Sequence, residues 1–433
     1  MTENVNRLGN WLITGEVRWR RNRQVAAIYR GLRTILPLIV LGTFAEFFNQ
    51  AWLEPNGYYY QTLHVARWML QRVRVQEAVL LLQNGTLGLA AIGLAFVISH
   101  DLVATATPVT NDQMAAGFTA VLGFELININ PLTLAVGKPV QWLAMDLGLH
   151  GLPVGVLIGL LVGNVYRWIV LRWRQPANQL LRPMTLSLSG MVLMGLTGML
   201  WLLRQPFSIR AAFNTLIRWP LQLSNDVWRL LDFSALNGWF TWLGVLGPIP
   251  TTPNQTQAQA ENLAAAIQHS GWHLPHPLTV QSVIQTYASM GGPGMTLGLV
   301  LAIFLVRHNA EQRQIGWLTL IPTLGNFNAP LLLGLPVVLS PILGIPLLLA
   351  PLATILVSSG FLAAHWIPAA AYPLAVGTPG PLIGYLGTSG ALTPLLLAAL
   401  DLALSTAIYY PFVKWASLAQ ARVEEEAQAH ATI

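Results

Sequence analysis

Two asparagines in alternation, Asn326 and Asn328, stand in the run Gly325-Asn326-Phe327-Asn328-Ala329-Pro330, within a stretch from Gln314 to Leu400 that holds no Asp, Glu, Lys or Arg. A carboxamide carries donors and an acceptor together. A pair of them in an extended, strand-like segment ended by a proline can therefore meet neutral hydroxyls without bringing charge into apolar surroundings. That chemistry suits a sugar. The competing use of the same amides is to cap broken helix ends, and the residues alone favour neither. A second candidate is the segment from Thr286 to Thr296 around Gly291-Gly292-Pro293-Gly294, whose glycines would let backbone approach a ligand or turn a hairpin tip. As a phosphate loop it fails, since no strand precedes it and no lysine follows.

Other titratable groups carry less. His269, His273 and His276 cluster in a Gly/Pro/Gln-rich connection, but without carboxylate or cysteine support the spacing does not make a metal site. His365, beside Trp366, reads as an interfacial residue. Glu46 and Glu125 fall within or near apolar runs and are functional candidates on that ground, although both can equally lie at helix ends. There is no Ser-His-Asp spacing, carboxylate dyad or Walker sequence, so no catalytic residue, metal or cofactor is expected. Zero cysteines exclude disulfides and thiolate sites.

The elements that must position these groups are set by hydropathy. Charged residues make up 9% of the 433-residue chain and apolar ones 54%, against roughly 25% charged in a soluble domain; mean hydropathy is +0.53. Too little polar surface exists to dissolve such a chain, which reads as a polytopic, all-α membrane protein held by its own spans, without a cleavable leader. The net charge of +6 lies in short segments between apolar runs. That is topology signalling and not a nucleic-acid footprint.

Five spans are expected in the N-terminal half, at 34–52, 78–99, 113–137, 147–166 and 183–203, and a last one at 393–413. The arginines of 15–33 alternate with Trp19, Val25, Ile28 and Leu32, the pattern of an amphipathic helix lying on anionic lipid. The chain thus divides into a cytoplasmic amphipathic segment (1–33), a five-helix membrane half (34–204), an interfacial linker (205–232), a second membrane half (233–413) and a short solvated cytoplasmic tail (414–433). Arg18–Arg23 and Arg167–Arg182 mark the cytoplasmic side. Arg67, Arg72 and Arg74 then fall on the opposite side, against the same rule. Proline and glycine stud the second half, including Pro322, Pro336, Pro341, Pro346, Pro351, Pro379 and Pro381. Broken backbone in lipid must be buried in protein or line a polar cavity.

In this order the features resemble the integral-membrane enzyme IIC subunit of the bacterial phosphoenolpyruvate:sugar phosphotransferase system, in its lactose/cellobiose/chitobiose family. The resemblance covers nearly all of the chain. It rests on Ala26-Ala27-Ile28-Tyr29-Arg30-Gly31 before Leu36-Pro37-Leu38, on 151–166 and 233–247, and on the Gly291–Gly294 turn. Above all it rests on Asn326-Phe327-Asn328-Ala329-Pro330 followed by Gly334-Leu335-Pro336-Val337-Val338-Leu339-Ser340-Pro341, with Gly384-Tyr385-Leu386 and Tyr409-Tyr410-Pro411-Phe412 at the end. It implies the enzyme IIC fold: about ten transmembrane helices plus two re-entrant hairpins, in a homodimer with its interface in the first half. It also implies an inner-membrane location, a sugar held in the second half by Gly291, Gly292, Leu246, Asn326, Asn328, Ala329 and Val376, and presentation to a phosphorylated IIB protein.

The departures fall where the family's chemistry should be. Its Asn-x-Asn-Glu-Pro has Ala329 at the glutamate, its Gly-Ile-His-Gly reads Gly244-Val245-Leu246-Gly247, and its Pro-Trp-Thr-Thr-Pro has Val376 at the tryptophan. Losing a general base costs about two to four powers of ten in rate. The resemblance with these replacements implies a sugar permease that carries its ligand without phosphorylating it. Two alternatives stand beside it: a membrane sensor built on the same scaffold, and a transporter for a more apolar solute.

Overall fold

The computed structural model describes residues 7–128, 147–172, 227–246, 253–269, 272, 274–306 and 309–431, with Gly190, Gly195, Gly198, Thr215, Leu216 and Trp219. The expected span at 183–203, most of the linker 205–232, Gly247 and His273 lie outside these residues. Every element described is helical, apart from an isolated parallel bridge between Gly57 and Val376. Five helical stretches are long and apolar enough to cross a membrane: Arg23–Leu53, Arg72–Ala104, Leu149–Arg172, Pro341–Ala363 and Leu392–Glu426.

In the first half, α1 (Arg7–Arg20) is followed by α2 (Arg23–Phe48), which widens into a π-helical turn at Asn49–Leu53. The single surface helix expected over 15–33 is split at Asn22, whose side chain caps α2 by accepting from the Gln24 amide. Nor does α1 lie on lipid alone. Glu16 is fully buried, and α1 packs on the last helix of the chain. α3 (Arg72–Thr86) leads into α4 (Ala90–Ala104), then α5 (Thr110–Ile127) and α6 (Leu152–Arg172).

α4 and α6 meet through a stripe of small residues. An added Cβ at Gly155 would lie 2.6 Å from the Ala91 carbonyl oxygen, one at Gly159 2.9 Å from that of Ala95, and one at Gly163 3.1 Å from the Ser99 Cα. Four-residue spacing of small side chains lets helix backbones approach where lipid supplies no hydrophobic drive between them. The opposite face of α6 carries Leu157, Leu161 and Trp168, each more than half exposed, the face expected to meet acyl chains.

The second half comprises α7 (Val227–Trp242), α8 (Pro253–His269), a π-helical segment (Val280–Ala288), α9 (Thr296–Val306), α10 (Ala310–Leu324), α11 (Ala329–Gly334), α12 (Pro341–Ala363) and α13 (Leu392–Ala431). The prolines divide by role. Pro330 and Pro341 open helices, where no amide is missed, but Pro322, Pro346, Pro351 and Pro411 sit inside them. Breaks occur at the glycine turn, at 325–328, at 335–340 and in the residues between α12 and α13.

The first turns of the tail are not solvated, although Glu424 and Glu425 beyond them are exposed. α13 runs on unbroken to Ala431, with Ala416, Ser417, Ala419 and Gln420 buried. Ser417 donates to the Gln312 side chain at 2.7 Å, and Gln420 donates to Glu311 and Glu424. Arg21 pairs with Glu426 at 2.6 Å, Arg33 with Glu311 at 2.7 Å, Arg30 with Asp101 at 3.0 Å, and Arg167 donates to Thr105. These contacts gather the N-terminal arginines, the α6 arginine and the C-terminal glutamates at one end of the molecule, as their charge pattern leads one to expect. At the other end Arg72 donates to the Leu53 carbonyl at 2.6 Å and lies over the Tyr60 ring. That arginine is used as a helix C-cap, a role that overrides the loop-charge rule.

Candidate functional site

The turn Gly291–Gly294 joins the π-helical segment to α9, and four side chains pin it. Asn326 accepts from the Gly291 amide at 2.8 Å, and Asn328 donates to the Pro293 carbonyl at 3.1 Å and to Thr296 Oγ1 at 3.2 Å. Thr296 donates to the Gly291 carbonyl at 2.5 Å, and Tyr409 of α13 donates to the Gly294 carbonyl at 2.6 Å. Gly292 has φ +97°, and a Cβ there would stand 2.7 Å from Asn328 Nδ2. Only glycine permits both that backbone and that approach. The glycines thus admit an asparagine side chain where the sequence suggested a ligand.

The 325–328 segment is not extended. Asn326 has φ +72°, a left-handed conformation that asparagine tolerates, so its side chain turns to the glycine turn while its Nδ2 donates to the Thr378 carbonyl at 3.3 Å. Asn328 occupies the N-cap position of α11 but makes no side-chain cap bond there. The amides therefore neither cap helix ends nor stand free. They staple three segments together. No described residue donates to Asn328 Oδ1, which leaves that acceptor for another partner.

The third segment, 376–379, arrives through backbone. The Val376 amide donates to the Asn56 carbonyl at 3.0 Å and its carbonyl accepts from the Tyr58 amide at 2.9 Å, while Thr378 Oγ1 caps Ala375. Gly377 has φ +79° and lies against Ala51. Through these contacts the end of α2 reaches the site. Phe47 meets Phe327 edge-on at 5.7 Å and Tyr59 at 6.1 Å, and Tyr59 stacks on Trp52 at 4.7 Å.

Of the seven residues singled out, Gly291, Gly292, Asn326 and Asn328 are joined by direct contacts. Ala329, buried, follows in the chain, and Val376 stands two residues from Thr378. Leu246 is buried beyond the end of α7. There the Trp242 carbonyl accepts from the Leu339 amide at 2.9 Å and Gly244 approaches Val338, so its anchors are on the 337–340 turn. Thr296 ends the glycine-turn segment singled out in the sequence. Sequence reasoning gave no site role to Thr378, Tyr409 or the aromatic group Phe47, Trp52 and Tyr59, which come from elements far away in sequence.

The remaining candidates sit apart. Glu46 accepts weakly from Gln50 at 3.3 Å on α2. His276 bonds the Glu261 carboxylate at 2.7 Å, and its backbone amide and carbonyl are both held by the Asn262 side chain.

Residues 31–351, more than half of the chain, match the family profile described as "Phosphotransferase system, EIIC". The lactose-specific EIICB component of Lacticaseibacillus casei is 24% identical over 91% of this chain and 68% of that one. The cellobiose-specific EIIC component of Geobacillus stearothermophilus is 26% identical over 92% and 91%, and the lichenan permease IIC component of Bacillus subtilis 25% over 93% and 90%. Among solved structures, the transporter ChbC, the IIC component of an N,N'-diacetylchitobiose-specific phosphotransferase system, aligns over 97% of this chain and 99% of that one at 21% identity, with a TM-score of 0.43. The chain belongs to the enzyme IIC family of the phosphotransferase system, the sugar permeases of the bacterial inner membrane.

Proposed function

We propose that this permease binds a β-linked oligosaccharide where the 291–294, 326–329 and 376–379 segments meet, and carries it across the membrane without phosphorylating it. The observation that carries the reading is the convergence itself. The Asn326 and Asn328 carboxamides, the second of them buried, and a glycine turn are locked in one geometry, with the Asn328 carbonyl oxygen left without a donor and the partly exposed Phe327 and Val376 in the adjoining segments. A sugar hydroxyl supplies the missing donor, and aromatic faces supply the stacking surface that sugar rings use. Relatives named for lactose, cellobiose and lichenan support the substrate class.

Ala329, Leu246 and Val376 bring no group able to take the proton of a hydroxyl that accepts phosphate, and Glu261 is engaged with His276 and Gln257. The reading includes a homodimer built on the first half and a cytoplasmic arginine-bearing end that faces a IIB-type protein. Its supports are the positive charge gathered at that end and a relative named as an EIICB component.

Equilibrium binding of labelled cellobiose and lactose to the detergent-purified protein tests it, with Asn328→Leu as the comparison. Saturable binding lost in the variant is expected. A wild type that binds neither sugar, or a variant that binds normally, overturns it. Incubation with a phosphorylated IIB protein of the cellobiose class should yield no sugar phosphate above a protein-free control.

A further inference from the structure

Away from the site, a carboxylate is buried within the membrane-spanning part of α13. Asp401 is 0% exposed. Its Oδ2 accepts from the Ser358 hydroxyl of α12 at 2.7 Å, and its Oδ1 has no partner. The hydroxyl of Tyr287, on the π-helical segment, lies within electrostatic reach of Asp401, is equally buried and is also without a partner, as is the Ser359 hydroxyl beside Ser358. No described cationic side chain forms an ion pair with Asp401; Glu16, the other fully buried carboxylate, has Arg20.

A bare charge in such surroundings carries a large desolvation penalty, and intramembrane acids that lack a protein partner mark ion and proton sites. Orphaned buried polar atoms in a group point to an occupant. The donors are all oxygen, which suits a hard cation, and one carboxylate balances one positive charge.

We propose that Asp401, with the hydroxyls of Ser358 and Tyr287, is an intramembrane site for a single monovalent cation, either a proton or sodium, and that its occupancy is felt at the sugar-site turn. The route is one helix face. Asp401, Ser405 and Tyr409 recur every four residues along α13, all fully buried. Ser405 donates to the Met295 carbonyl at 3.3 Å and Tyr409 to that of Gly294 at 2.6 Å. By the helical rise, these anchors lie about 6 and 12 Å from Asp401 along the axis. The π-helical segment that carries Tyr287 packs against both α12 and α13 and ends at the same turn.

The titratable surroundings are sparse. α9 and α12 contribute no ionisable side chain, the π-helical segment contributes Tyr287, and the short helix Ile383–Gly387 contributes Tyr385; α7, packed on α12 and the π-helical segment, carries Arg229 and Asp232, and His365 follows the end of α12. The charges of α1, of which Glu16 is bonded to Ser340, lie about 27 Å away along α12. Loss of a pH or sodium response in Asp401→Asn is therefore what assigns that response to this cluster.

The test uses purified full-length protein at constant ionic strength, with hydrogen exchange of residues 289–297 and thermal midpoint as readouts. Sodium replacing choline at pH 8, or acidification to pH 6 in sodium-free buffer, is expected to raise the midpoint and the protection of the turn. A response to sodium identifies that ion, and a response to acid alone identifies the proton. Asp401→Asn, which mimics the neutral acid, is expected to lose the response. A wild type indifferent to both cations, or an Asp401→Asn protein that responds as wild type does, overturns the proposal. Should that variant fail to fold, Tyr287→Phe removes one oxygen and keeps the ring. A weakened response then supports the site, and an unchanged one refutes it.

Discussion

In the first half Gly155, Gly159 and Gly163 of α6 lie against Ala91, Ala95 and Ser99 of α4 with backbone nearly touching backbone. In the second half the close approaches are made by side chains reaching for broken backbone: Asn326 and Asn328 to the glycine turn, Tyr409 and Ser405 to Gly294 and Met295, Gln281 to the Tyr372 carbonyl. Both halves are equally apolar in sequence, so the hydrophobic effect cannot be what separates them. The first half satisfies its amides within continuous helices and gains by close packing. The second interrupts its helices and must satisfy the exposed groups with side chains. Continuous packing suits a scaffold, and interrupted packing brings polar side chains and backbone together where a ligand could meet them.

The comparison breaks most severely where small residues are replaced. Gly159→Leu would drive a side chain into the Ala95 carbonyl and Ile98, and overpacking of this kind costs about 1–3 kcal/mol or more where backbone must move. The variant should fail to give a monodisperse peak in detergent. Gly360→Ala in α12, where an added Cβ meets nothing within 4 Å, should instead be neutral or slightly stabilising, by up to about 1 kcal/mol. Equal losses from the two changes would show that α4 and α6 are not held by the glycine stripe.

Between the halves stands Glu16, buried in α1. It accepts from Ser340 at 3.0 Å and from the Ile342 amide at 3.2 Å, so it caps α12, and it pairs with Arg20 at 2.7 Å. Trp19 adds a bond to the Leu339 carbonyl at 2.9 Å. Glu16→Ala leaves the Arg20 guanidinium, itself nearly buried, without its anion, and removing one partner of a buried pair costs about 3–5 kcal/mol. Thermal unfolding in detergent should show a large fall for Glu16→Ala and a smaller one for Glu16→Gln, which keeps an acceptor for Ser340. A small loss in both would mean that α1 rests on the surface, as its amphipathic sequence suggests.

A further contrast concerns the asparagines. Had they served only the ligand, Asn326→Leu and Asn328→Leu would leave folding intact. Because each bonds backbone in the turn, each should cost about 1–3 kcal/mol for the buried groups left unpaired, with faster hydrogen exchange confined to 289–297. Unchanged exchange in both variants would return the amides to a purely ligand-facing role.

The parts of this molecule visible in its sequence are those where a local signal and the structure share a cause. Charge depletion announces a membrane protein because lipid excludes charge. Apolar runs find α2, α4, α6 and α13 because length and hydropathy decide a span. Gly291–Gly294 and Asn326–Asn328 stand out as polar or flexible exceptions in apolar sequence, and the structure does join them. What stayed hidden has non-local causes. The docking of α1 through Glu16 and the burial of Gln420 each depend on a partner more than a hundred residues away. Pro346 and Pro351 read as breakers, yet neighbouring helices hold α12 together around them. Phe47 reaches the site only because the 54–60 loop pairs with Val376.

The smallest predicted effect lies outside the membrane-spanning segments and tests whether α8 belongs to the rigid or the mobile side of this contrast. The Glu261 carboxyl is held below its ordinary value of 4.5 by hydrogen bonds from Gln257 and then from His276. A depressed carboxylate contributes stability above its unfolded pKa and loses it as pH falls through the folded one. The anchoring of His276 to α8 should therefore be intact at neutral pH and weaken in acid, below the usual carboxylate range. Because the pair is exposed, the effect should be local: hydrogen exchange of 274–279 should quicken on acidification, after correction for intrinsic rates, while the thermal midpoint barely moves. Glu261→Gln should show the quickened exchange at neutral pH and little further change in acid. If 274–279 exchanges at the same corrected rate in both proteins at both pH values, the two Asn262 bonds suffice to hold the entry to the π-helical segment, and α8 is part of the rigid frame.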